Sequence, residues 1–337
     1  MLEFFSEVSN QKGEQIPMTR FRVAIVGLGA VGQRFASLMA ENPTFEVLVA
    51  FDLHEDARAN FRKNFPDITI AETEHDFYAH PNIDLIYVAT PPATHATQVG
   101  LAQRAGWKVF CEKPLGVDIT ESEKLVTQSQ GFFQAVNFVY SGAPNALEVE
   151  RLMSHGELGA VTGASIHLQF SQWPRAFQGH AGWLAGREQG GFMREVGSHF
   201  LYLCQRLFGS LALHGTPLVV EGKHSEDYVS AVWYAGARYI TLEGRVGGVG
   251  SDRAQMTILG DRKSLRIDHW YGLYQTLGDG WDPVLDEQQS EPRTAYANQL
   301  NLLSQQLIDG KKRLADFSEA LHVQRLVEEV LQSSRRG

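Results

Sequence analysis

A glycine-rich turn between a buried strand and a helix constrains the fold of this chain more than any other feature. The turn covers residues 27–32 (GLGAVG) and follows the apolar run 22–26 (RVAIV). Short β-branched apolar runs are typical of strands that are buried on both faces, and the apolar residues of segment 33–42 have helical spacing. A strand, a G-x-G-x-x-G turn and a helix in this order predict the first unit of a parallel, doubly wound sheet.

Each glycine of this turn has a physical task in binding a dinucleotide. The first permits a tight turn, the second lets the backbone approach a pyrophosphate, and the third allows close packing of helix and strand. The helix N-terminus then offers free N–H groups and a partial positive charge to the phosphates. The predicted cofactor-binding residues of the turn are Gly27, Gly29, Ala30, Val31 and Gly32. A structural glycine turn without a ligand is the alternative.

Asp52 stands 20 residues after Gly32, at the end of the next predicted strand. An acid at this point can accept hydrogen bonds from both hydroxyls of an adenosine ribose, and it would repel a 2′-phosphate. The sequence therefore favours NAD over NADP as the cofactor. In the alternative interpretation Asp52 only caps the helix that follows it.

Strands and helices alternate over the first part of the chain. The further predicted strands are 46–51, 83–89, 107–111 and 133–138, and the further predicted helices are 56–65, 94–105 and 121–130. This alternation predicts an α/β fold with a Rossmann dinucleotide-binding domain over residues 20–140. Residues 1–19 would form an N-terminal extension, and Met18 is an alternative start of translation.

The second part of the chain has a different pattern. Its predicted strands are 161–170, 228–234, 239–245, 254–259 and 264–267, and its predicted helices are 145–154, 294–309 and 317–334. Short, glycine-containing connections between the strands favour a meander of antiparallel strands. We expect residues 141–337 to form a substrate-binding and oligomerisation domain. A homodimer or homotetramer would assemble through the open face of its sheet.

The composition excludes several classes of partner. Thirty basic against 39 acidic side chains give a net charge of −9, which disfavours nucleic acid and anionic membrane surfaces. No apolar run approaches the roughly 20 residues of a membrane-spanning helix, and the N-terminus lacks the apolar core of a signal peptide. Cys111 and Cys204 form no disulfide or metal pattern, and His167 and His180 have no partners at metal spacing. We expect a soluble cytoplasmic protein without a metal.

Two segments carry candidate catalytic side chains. Lys113 follows the strand 107–111 and should emerge at the carboxyl edge of the sheet, where doubly wound folds bind ligands. Glu195 and His199 are four residues apart, so a helix over 194–208 would place them on one face. A carboxylate beside an imidazole orients the ring and favours its protonated form. The alternatives are a surface lysine and an ordinary helical Glu–His pair.

Three further residues are candidates for substrate binding. Trp173, Arg175 and Trp183 precede the second segment and could form an aromatic wall with one charged donor for a carbohydrate. Ordinary core packing explains these tryptophans equally well. No G-x-S-x-G motif is present and no P-loop lysine follows the glycine turn, which argues against hydrolases and kinases.

The motifs together resemble the Gfo/Idh/MocA family of dehydrogenases, which is named for glucose–fructose oxidoreductase and inositol dehydrogenase. The resemblance rests on GLGAVG, Asp52, the stretch 89–95 (ATPPATH), Glu112-Lys113-Pro114 and the GG…E-x-G-x-H segment, in this order. It spans about residues 20–335, with its diagnostic motifs before residue 203. It implies a Rossmann domain, then an α/β domain with an open, mainly antiparallel sheet that often serves oligomerisation. Sugars, cyclitols and their derivatives are the implied substrates.

The resemblance also implies roles for individual residues. Lys113 matches the catalytic lysine and His199 the catalytic histidine, while Glu195 stands where many members have aspartate. Further contacts to the cofactor would come from the loop that borders the nicotinamide and from the end of the strand before Pro114: Thr90, Pro91, Pro92, His95, Glu112 and Lys113 itself.

Three departures from the family pattern concern the substrate side. Glu195 is one methylene longer than the usual aspartate. Tyr202 stands where polyol-oxidising members often carry a second aspartate. Asn137 matches the end of a family strand, but the arginines that often follow it are absent. Because Asn137 and Tyr202 stand at positions on the substrate side, they are candidate substrate contacts. The residues at these positions do not match the inositol pattern.

The sequence thus predicts an NAD-dependent dehydrogenase or reductase that moves a hydride between nicotinamide and a secondary alcohol or ketone of a carbohydrate-like substrate. His199 is the expected proton acceptor, Lys113 holds the reacting oxygen, and Glu195 orients His199 or a neighbouring hydroxyl. Which of Lys113 and His199 moves the proton stays open. Two alternatives are glycosidic cleavage through transient oxidation by bound NAD, and a non-catalytic NAD-binding regulator.

Overall fold

Six parallel strands form the first sheet of the computed structural model, which describes residues 20–179 and 181–333. In chain order they are β1 (Phe21–Val26), β2 (Phe45–Phe51), β3 (Thr69–Ile70), β4 (Leu85–Val88), β5 (Lys108–Glu112) and β6 (Gln134–Asn137). Their order in the sheet is β3-β2-β1-β4-β5-β6, so β2 and β3 lie on one side of β1 while β4, β5 and β6 lie on the other side. The switch point lies between β1 and β4. Ligands of doubly wound folds bind at such a switch point. The predicted parallel sheet is confirmed; the predicted N-terminal extension, residues 1–19, and His180 lie outside the described residues.

Helices connect these strands. They are α1 (Ala30–Glu41), α2 (Glu55–Asn64), α3 (Glu74–Tyr78), α4 (His95–Arg104) and α5 (Ile119–Gln128). Helix α1 buries Phe35, Leu38 and Met39, whose three- and four-residue spacing places them on one face. Helix α5 follows Asp118, whose carboxylate accepts a hydrogen bond from the backbone N–H of Glu121. The sequence did not predict β3 and α3, since two and five residues are too short for a periodic signal.

The second sheet is formed by the strands of the remaining chain. They are β7 (Val161–Phe170), β8 (Ala212–Glu221), β9 (Glu226–Ala235), β10 (Arg238–Val246), β11 (Arg253–Gly260), β12 (Ser264–Asp268), β13 (Gly272–Thr276) and β14 (Asp282–Pro283). Their order is β14-β13-β12-β11-β7-β10-β9-β8. Further helices are α6 (Pro144–Ser154), α7 (Ser198–Phe208), α8 (Pro292–Asp309) and α9 (Phe317–Ser333).

The second sheet is not the simple meander that the sequence predicts. β7 lies between β10 and β11 and pairs in parallel with β10, while its pairing with β11 is antiparallel. Gly163 permits this close approach, since a Cβ there would lie 1.9 Å from the carbonyl oxygen of Tyr239. Turn residues in the sequence indicate only which consecutive strands are connected by a tight turn. They therefore cannot predict that β7 pairs with β10 and β11. The sequence also missed β8, an edge strand that contains Gly215 and Pro217.

The last two helices return to the first sheet. The backbone N–H of Val136 in β6 donates to the carbonyl oxygen of Ala315, and the side chain of Gln299 in α8 donates to the carbonyl oxygen of Phe138. Leu300 and Leu303 of α8 join the same apolar cluster as strands β1 and β2. Residue 140 lies between the two sheets, and α8 packs against the first sheet; the division into two domains at this residue stays a prediction.

Several large apolar side chains are exposed on the strands of the second sheet. Leu218, Val220, Tyr239 and Leu259 are each at least 45% exposed. Assembly through this sheet stays a prediction. Across residues 20–179 and 181–333, no helix is long and apolar enough to cross a membrane.

Candidate active site

The glycine turn has the shape that a dinucleotide needs. A Cβ at Gly27, whose φ is +92°, would lie 2.5 Å from the backbone of Ala89, and a Cβ at Gly32 would lie 2.0 Å from the carbonyl oxygen of Gly27. Both positions therefore require glycine. A Cβ at Gly29 would meet nothing of the described chain within 4 Å, so this residue borders open space.

The N-terminus of α1 opens onto that space. Ala30 and Val31 begin the helix, and no side chain among residues 20–179 and 181–333 caps it. The first N–H groups of a helix have no intrahelical acceptor, so they are free to bind an anion. The turn and the helix start therefore fit the pyrophosphate of a dinucleotide.

Asp52 is fixed beside the turn by two backbone groups. One of its carboxylate oxygens accepts from the N–H of Leu28 at 2.8 Å and the other from the N–H of His54 at 2.9 Å. Each carboxylate oxygen can accept a second hydrogen bond. The carboxylate is therefore oriented and still able to bind ribose hydroxyls, as the residues of an NAD site should be.

The loop after β4 is tied to the loop after β5 through His95. The ring of His95 is fully buried, with Nδ1 2.9 Å from the carbonyl oxygen of Pro114 and Nε2 2.9 Å from that of Thr90. Burial lowers the pKa of His95. Since both ring nitrogens contact the backbone, the prediction that His95 itself contacts the cofactor is corrected: it holds the two loops together. Thr90, Pro91 and the 3-10 helix Pro92–Thr94 form the loop's surface.

Lys113 is held by Glu195 at the carboxyl edge of the first sheet. Its ammonium donates to the backbone carbonyl oxygen of Glu195 at 2.9 Å and also to the carboxylate of Glu195. The other carboxylate oxygen accepts from Gln178 at 3.2 Å and lies 3.7 Å from Nη2 of Arg175. The carboxylate of Glu195 is thus surrounded by three donors.

A π-helical turn explains why Glu195 faces Lys113. Residues Met193–Gly197 form this turn, in which the N–H of Ser198 donates to the carbonyl oxygen of Met193, five residues earlier. The extra residue changes the faces that an α-helix would present, and π-turns are frequent at functional sites. The prediction of one continuous α-helix over 194–208 is therefore wrong in its first turn.

His199 lies near this lysine but pairs with no carboxylate in the described chain. Its Nδ1 is buried without a hydrogen-bond partner among the residues that the structure describes. Burial first, and then the positive charges of Lys113 and Arg175, lower the pKa of His199 well below its usual value of 6.5. The predicted Glu195–His199 pair, which would favour the protonated ring, is wrong, because the carboxylate serves Lys113.

Aromatic rings enclose the imidazole of His199. Phe138 and Trp270 contact it edge to face, with ring centroids 5.8 Å and 5.6 Å away. Trp270 was missed by the sequence reasoning. It lies in the turn between β12 and β13, where His269 and Trp270 adopt φ of +46° and +71°. Such values are rare for residues other than glycine and are often found at functional sites. The sequence gives no glycine or asparagine at these positions to signal the turn.

Beneath Lys113, three polar side chains form an inward-facing network. The carboxylate of Glu112 accepts hydrogen bonds from the hydroxyl of Tyr87 and from the side-chain amide of Asn137. Burial raises the pKa of Glu112. Asn137 is 4% exposed and its amide also donates to Tyr87 at 3.1 Å. Its side-chain oxygen is buried without a hydrogen-bond partner among the described residues, so the contact of Asn137 with substrate stays a prediction.

The remaining substrate candidates divide into two groups. Arg175 lies at the site beside Glu195, and the ring of Trp173 lies beneath its guanidinium, 5.7 Å away. Tyr202 is buried, stacks on Phe138 and shares a hydrogen bond with Ser141, so its prediction as a substrate contact is corrected.

Trp183 lies in the 3-10 helix Gly182–Ala185 and is half-buried. An aromatic wall that binds substrate through Trp173 and Trp183 stays a prediction.

Two models of one protein family match most of the chain. The model for an oxidoreductase family with an NAD-binding Rossmann fold matches residues 21–131, and the model for that family's C-terminal α/β domain matches residues 151–337. The chain belongs to the Gfo/Idh/MocA oxidoreductase family. The resemblance seen in the sequence, the two-part α/β fold and the NAD-binding Rossmann domain are confirmed.

Individual relatives are distant. The rhizopine catabolism protein MocA of Rhizobium meliloti is 35% identical over 107 residues, which is 32% of this chain and 33% of that protein. The uncharacterized oxidoreductase YdgJ of Escherichia coli is 26% identical over 253 residues, which is 72% of this chain and 70% of that protein. The alignments thus span from a third to about two thirds of these curated relatives.

Among solved structures, a levoglucosan dehydrogenase in complex with NADH and L-sorbose superimposes with a TM-score of 0.84. It is 15% identical, and the match covers 95% of this chain and 98% of that chain. Likeness at this identity shows the shared fold.

Proposed function

We propose that this protein is an NAD-dependent dehydrogenase or reductase acting on a secondary alcohol or ketone of a sugar, a cyclitol or a derivative. The observation that supports this proposal most directly is that Lys113 and His199 lie together at the carboxyl edge of the first sheet. Lys113 is near enough for its charge to lower the pKa of His199. NAD, when bound, supplies the nicotinamide carbon that accepts or returns the hydride.

Lys113 is suited to hold the reacting oxygen. An ammonium has three donors. Two of them bind Glu195 and aim the group, which leaves the third for a substrate hydroxyl or carbonyl oxygen. The positive charge stabilises negative charge that develops on this oxygen. Glu195 is therefore a positioning residue for Lys113.

His199 is suited to exchange the proton of the hydroxyl. Its lowered pKa keeps the imidazole neutral near pH 7, and a neutral imidazole can accept a proton. In oxidation the O–H proton passes to a base, the C–H hydride leaves with its electron pair, and the carbon becomes a carbonyl. Reduction reverses these transfers.

Two features support the choice of cofactor and substrate class. The oriented carboxylate of Asp52 favours NAD over NADP, because it binds ribose hydroxyls and repels a 2′-phosphate. The structural likeness to a levoglucosan dehydrogenase that binds L-sorbose supports a carbohydrate-like substrate.

The test is a screen for NAD reduction over sugars, cyclitols, amino sugars and sugar acids, with a reverse screen of ketoses and NADH. NADH should accumulate with at least one substrate, and Lys113→Ala and His199→Ala should abolish most of it. Release of an aglycone without net NADH would instead identify glycosidase-type chemistry. Binding of NAD without turnover of any compound would identify a regulator.

A further inference from the structure

We propose that the substrate carries an anionic group, a carboxylate or a phosphate, which the guanidinium of Arg175 binds. This inference rests on the proposed function, because it specifies the substrate class of the same site.

The guanidinium of Arg175 is held in a cage of four aromatic rings. Its central carbon lies 4.8 Å from the ring centroid of Phe177, 5.7 Å from Trp173, and 5.9 Å from both Phe170 and Trp270. Rings at these distances attract a cation through their electron-rich faces, and a planar guanidinium stacks well on them. The cage fixes the group without occupying its N–H donors.

The forked end of this guanidinium has no hydrogen-bond acceptor among residues 20–179 and 181–333. Nε donates to the side-chain oxygen of Gln178 at 3.0 Å. The carboxylate oxygen of Glu195 is 3.7 Å from Nη2, which is too long for a hydrogen bond. Within the described part of the chain, neither terminal nitrogen donates to any other group. A carboxylate or phosphate can accept from both nitrogens at once, and this is the pairing that arginine binds best.

The guanidinium of Arg175 is also largely removed from water. The side chains of Lys113, Arg175 and Glu195 are only 8%, 13% and 19% exposed. The carboxylate of Glu195 is hydrogen-bonded to Lys113, and Asp252 acts on Arg175 only from a longer distance. A cation that is largely removed from water and lacks a hydrogen-bonded counterion in the described chain is costly. An anionic substrate group would offset that cost, whereas a neutral hydroxyl would not.

Arg175 faces the same space as the reacting groups. Its charge and that of Lys113 both act on His199, and the ring of Trp270 contacts the imidazole of His199 as well as the guanidinium. An anion on Arg175 would therefore belong to the molecule whose reacting carbon lies beside Lys113 and His199.

The experiment measures equilibrium binding of matched ligand pairs to the protein saturated with NADH, by isothermal titration calorimetry. The pairs are glucuronate and glucose, gluconate and glucitol, and glucose 6-phosphate and glucose. We expect an anionic member to bind at least about 10-fold more tightly than its neutral partner, as one charge-assisted contact would give. The pair that responds identifies carboxylate or phosphate as the group.

Three variants assign the preference to Arg175. Arg175→Met should remove it, and Arg175→Lys, which keeps the charge and loses the fork, should retain only part. Arg187→Met is the matched control, because Arg187 lies in the same segment but pairs with Glu221 at the surface. A melting temperature and an NADH affinity of Arg175→Met equal to those of the parent protein would show that the segment is intact.

Equal binding within every pair, or a preference that survives in Arg175→Met, would overturn the inference. If NAD oxidised neutral sugars at a rate that Arg175→Met did not change, the inference would be overturned and the proposed function would stand. Arg175-dependent binding of anions without hydride transfer to NAD from any sugar would instead support the inference and overturn the proposed function.

Discussion

Lys113 and Glu195 are joined twice, since the lysine ammonium donates to both the backbone carbonyl and the side-chain carboxylate of Glu195. Lys113 follows strand β5 of the first sheet, and Glu195 lies in the π-helical turn before α7. This contact therefore links the Rossmann sheet to the segment that carries His199. The carboxylate of Glu195 therefore acts on Lys113 and not on His199, and the effects expected for substitutions of these residues follow from that.

Loss of either reacting group should reduce turnover and leave cofactor binding unchanged. We expect Lys113→Ala and His199→Ala each to lower kcat about 10²- to 10⁴-fold, the usual contribution of a positioned acid, base or charge. Steady-state kinetics with a substrate from the screen, together with titration of NADH fluorescence, would measure both quantities. Near-normal kcat in both variants would refute the assignment.

Glu195 should act through Lys113. Glu195→Gln keeps the backbone contact but loses the ionic one, so kcat should fall about 10-fold, the effect of losing one charge-assisted hydrogen bond. Glu195→Asp should recover part of the rate, because the carboxylate remains. A fall in NAD affinity in place of kcat would argue against this role.

Local patterns in the sequence predicted the Rossmann fold and the class of cofactor. The strand and the glycine turn are consecutive in the chain and Asp52 directly follows the next strand, so their positions depend on local backbone geometry. Lys113 was predicted for a related reason, since a residue that follows a buried parallel strand emerges at the ligand-binding edge.

Contacts between distant segments could not be predicted from such patterns. An i,i+4 spacing indicates a shared face only if the helix is an α-helix, and the π-turn at Met193–Gly197 breaks that assumption. Trp270 reaches His199 from a turn between two strands of the other sheet. Tyr202 is polar and lies near His199 in the chain, yet it is buried and shares its hydroxyl hydrogen bond with Ser141.

Removing the carboxylate of Asp52 should relax the choice of cofactor. In Asp52→Asn the one side-chain oxygen can still accept from one of the two backbone N–H groups, and the charge that repels a 2′-phosphate is gone. We expect the ratio of kcat/KM for NAD to that for NADP to fall about 10- to 100-fold. Thermal melting should confirm that the turn is intact. An unchanged ratio would show that another residue excludes NADP.

The lowered pKa of His199 predicts the pH dependence of oxidation. A base that is neutral down to well below pH 6.5 should cause no loss of kcat/KM as the pH falls from neutrality toward that value. Arg175→Met removes one of the two nearby positive charges, so any acidic limb should move to higher pH. A profile governed by a group that titrates above 6.5 and disappears in His199→Gln would contradict the structure.

Glu226 should make the stability of the fold depend on pH. Its carboxylate is buried, accepts from the N–H of Met193 at 2.8 Å and packs on Gly191, whose Cβ would lie 2.4 Å from it. Burial raises the pKa of Glu226 from 4.5 to about 7. The folded state therefore binds this proton more tightly than the unfolded state does. The resulting stabilisation is complete below about pH 4.5 and is lost as the pH rises through about 7.

The difference between these pKa values corresponds to about 3 kcal/mol. Glu226→Gln keeps an acceptor for Met193 and cannot ionise, so its free energy of unfolding should fall less between about pH 4.5 and 7 than that of the parent protein. Denaturant unfolding at a series of pH values measures this difference. Glu243→Gln, which removes an exposed carboxylate from the same sheet, should follow the parent profile. If the free energies of unfolding of the parent protein and Glu226→Gln changed equally with pH, the pKa of Glu226 would be the same in the folded and unfolded states.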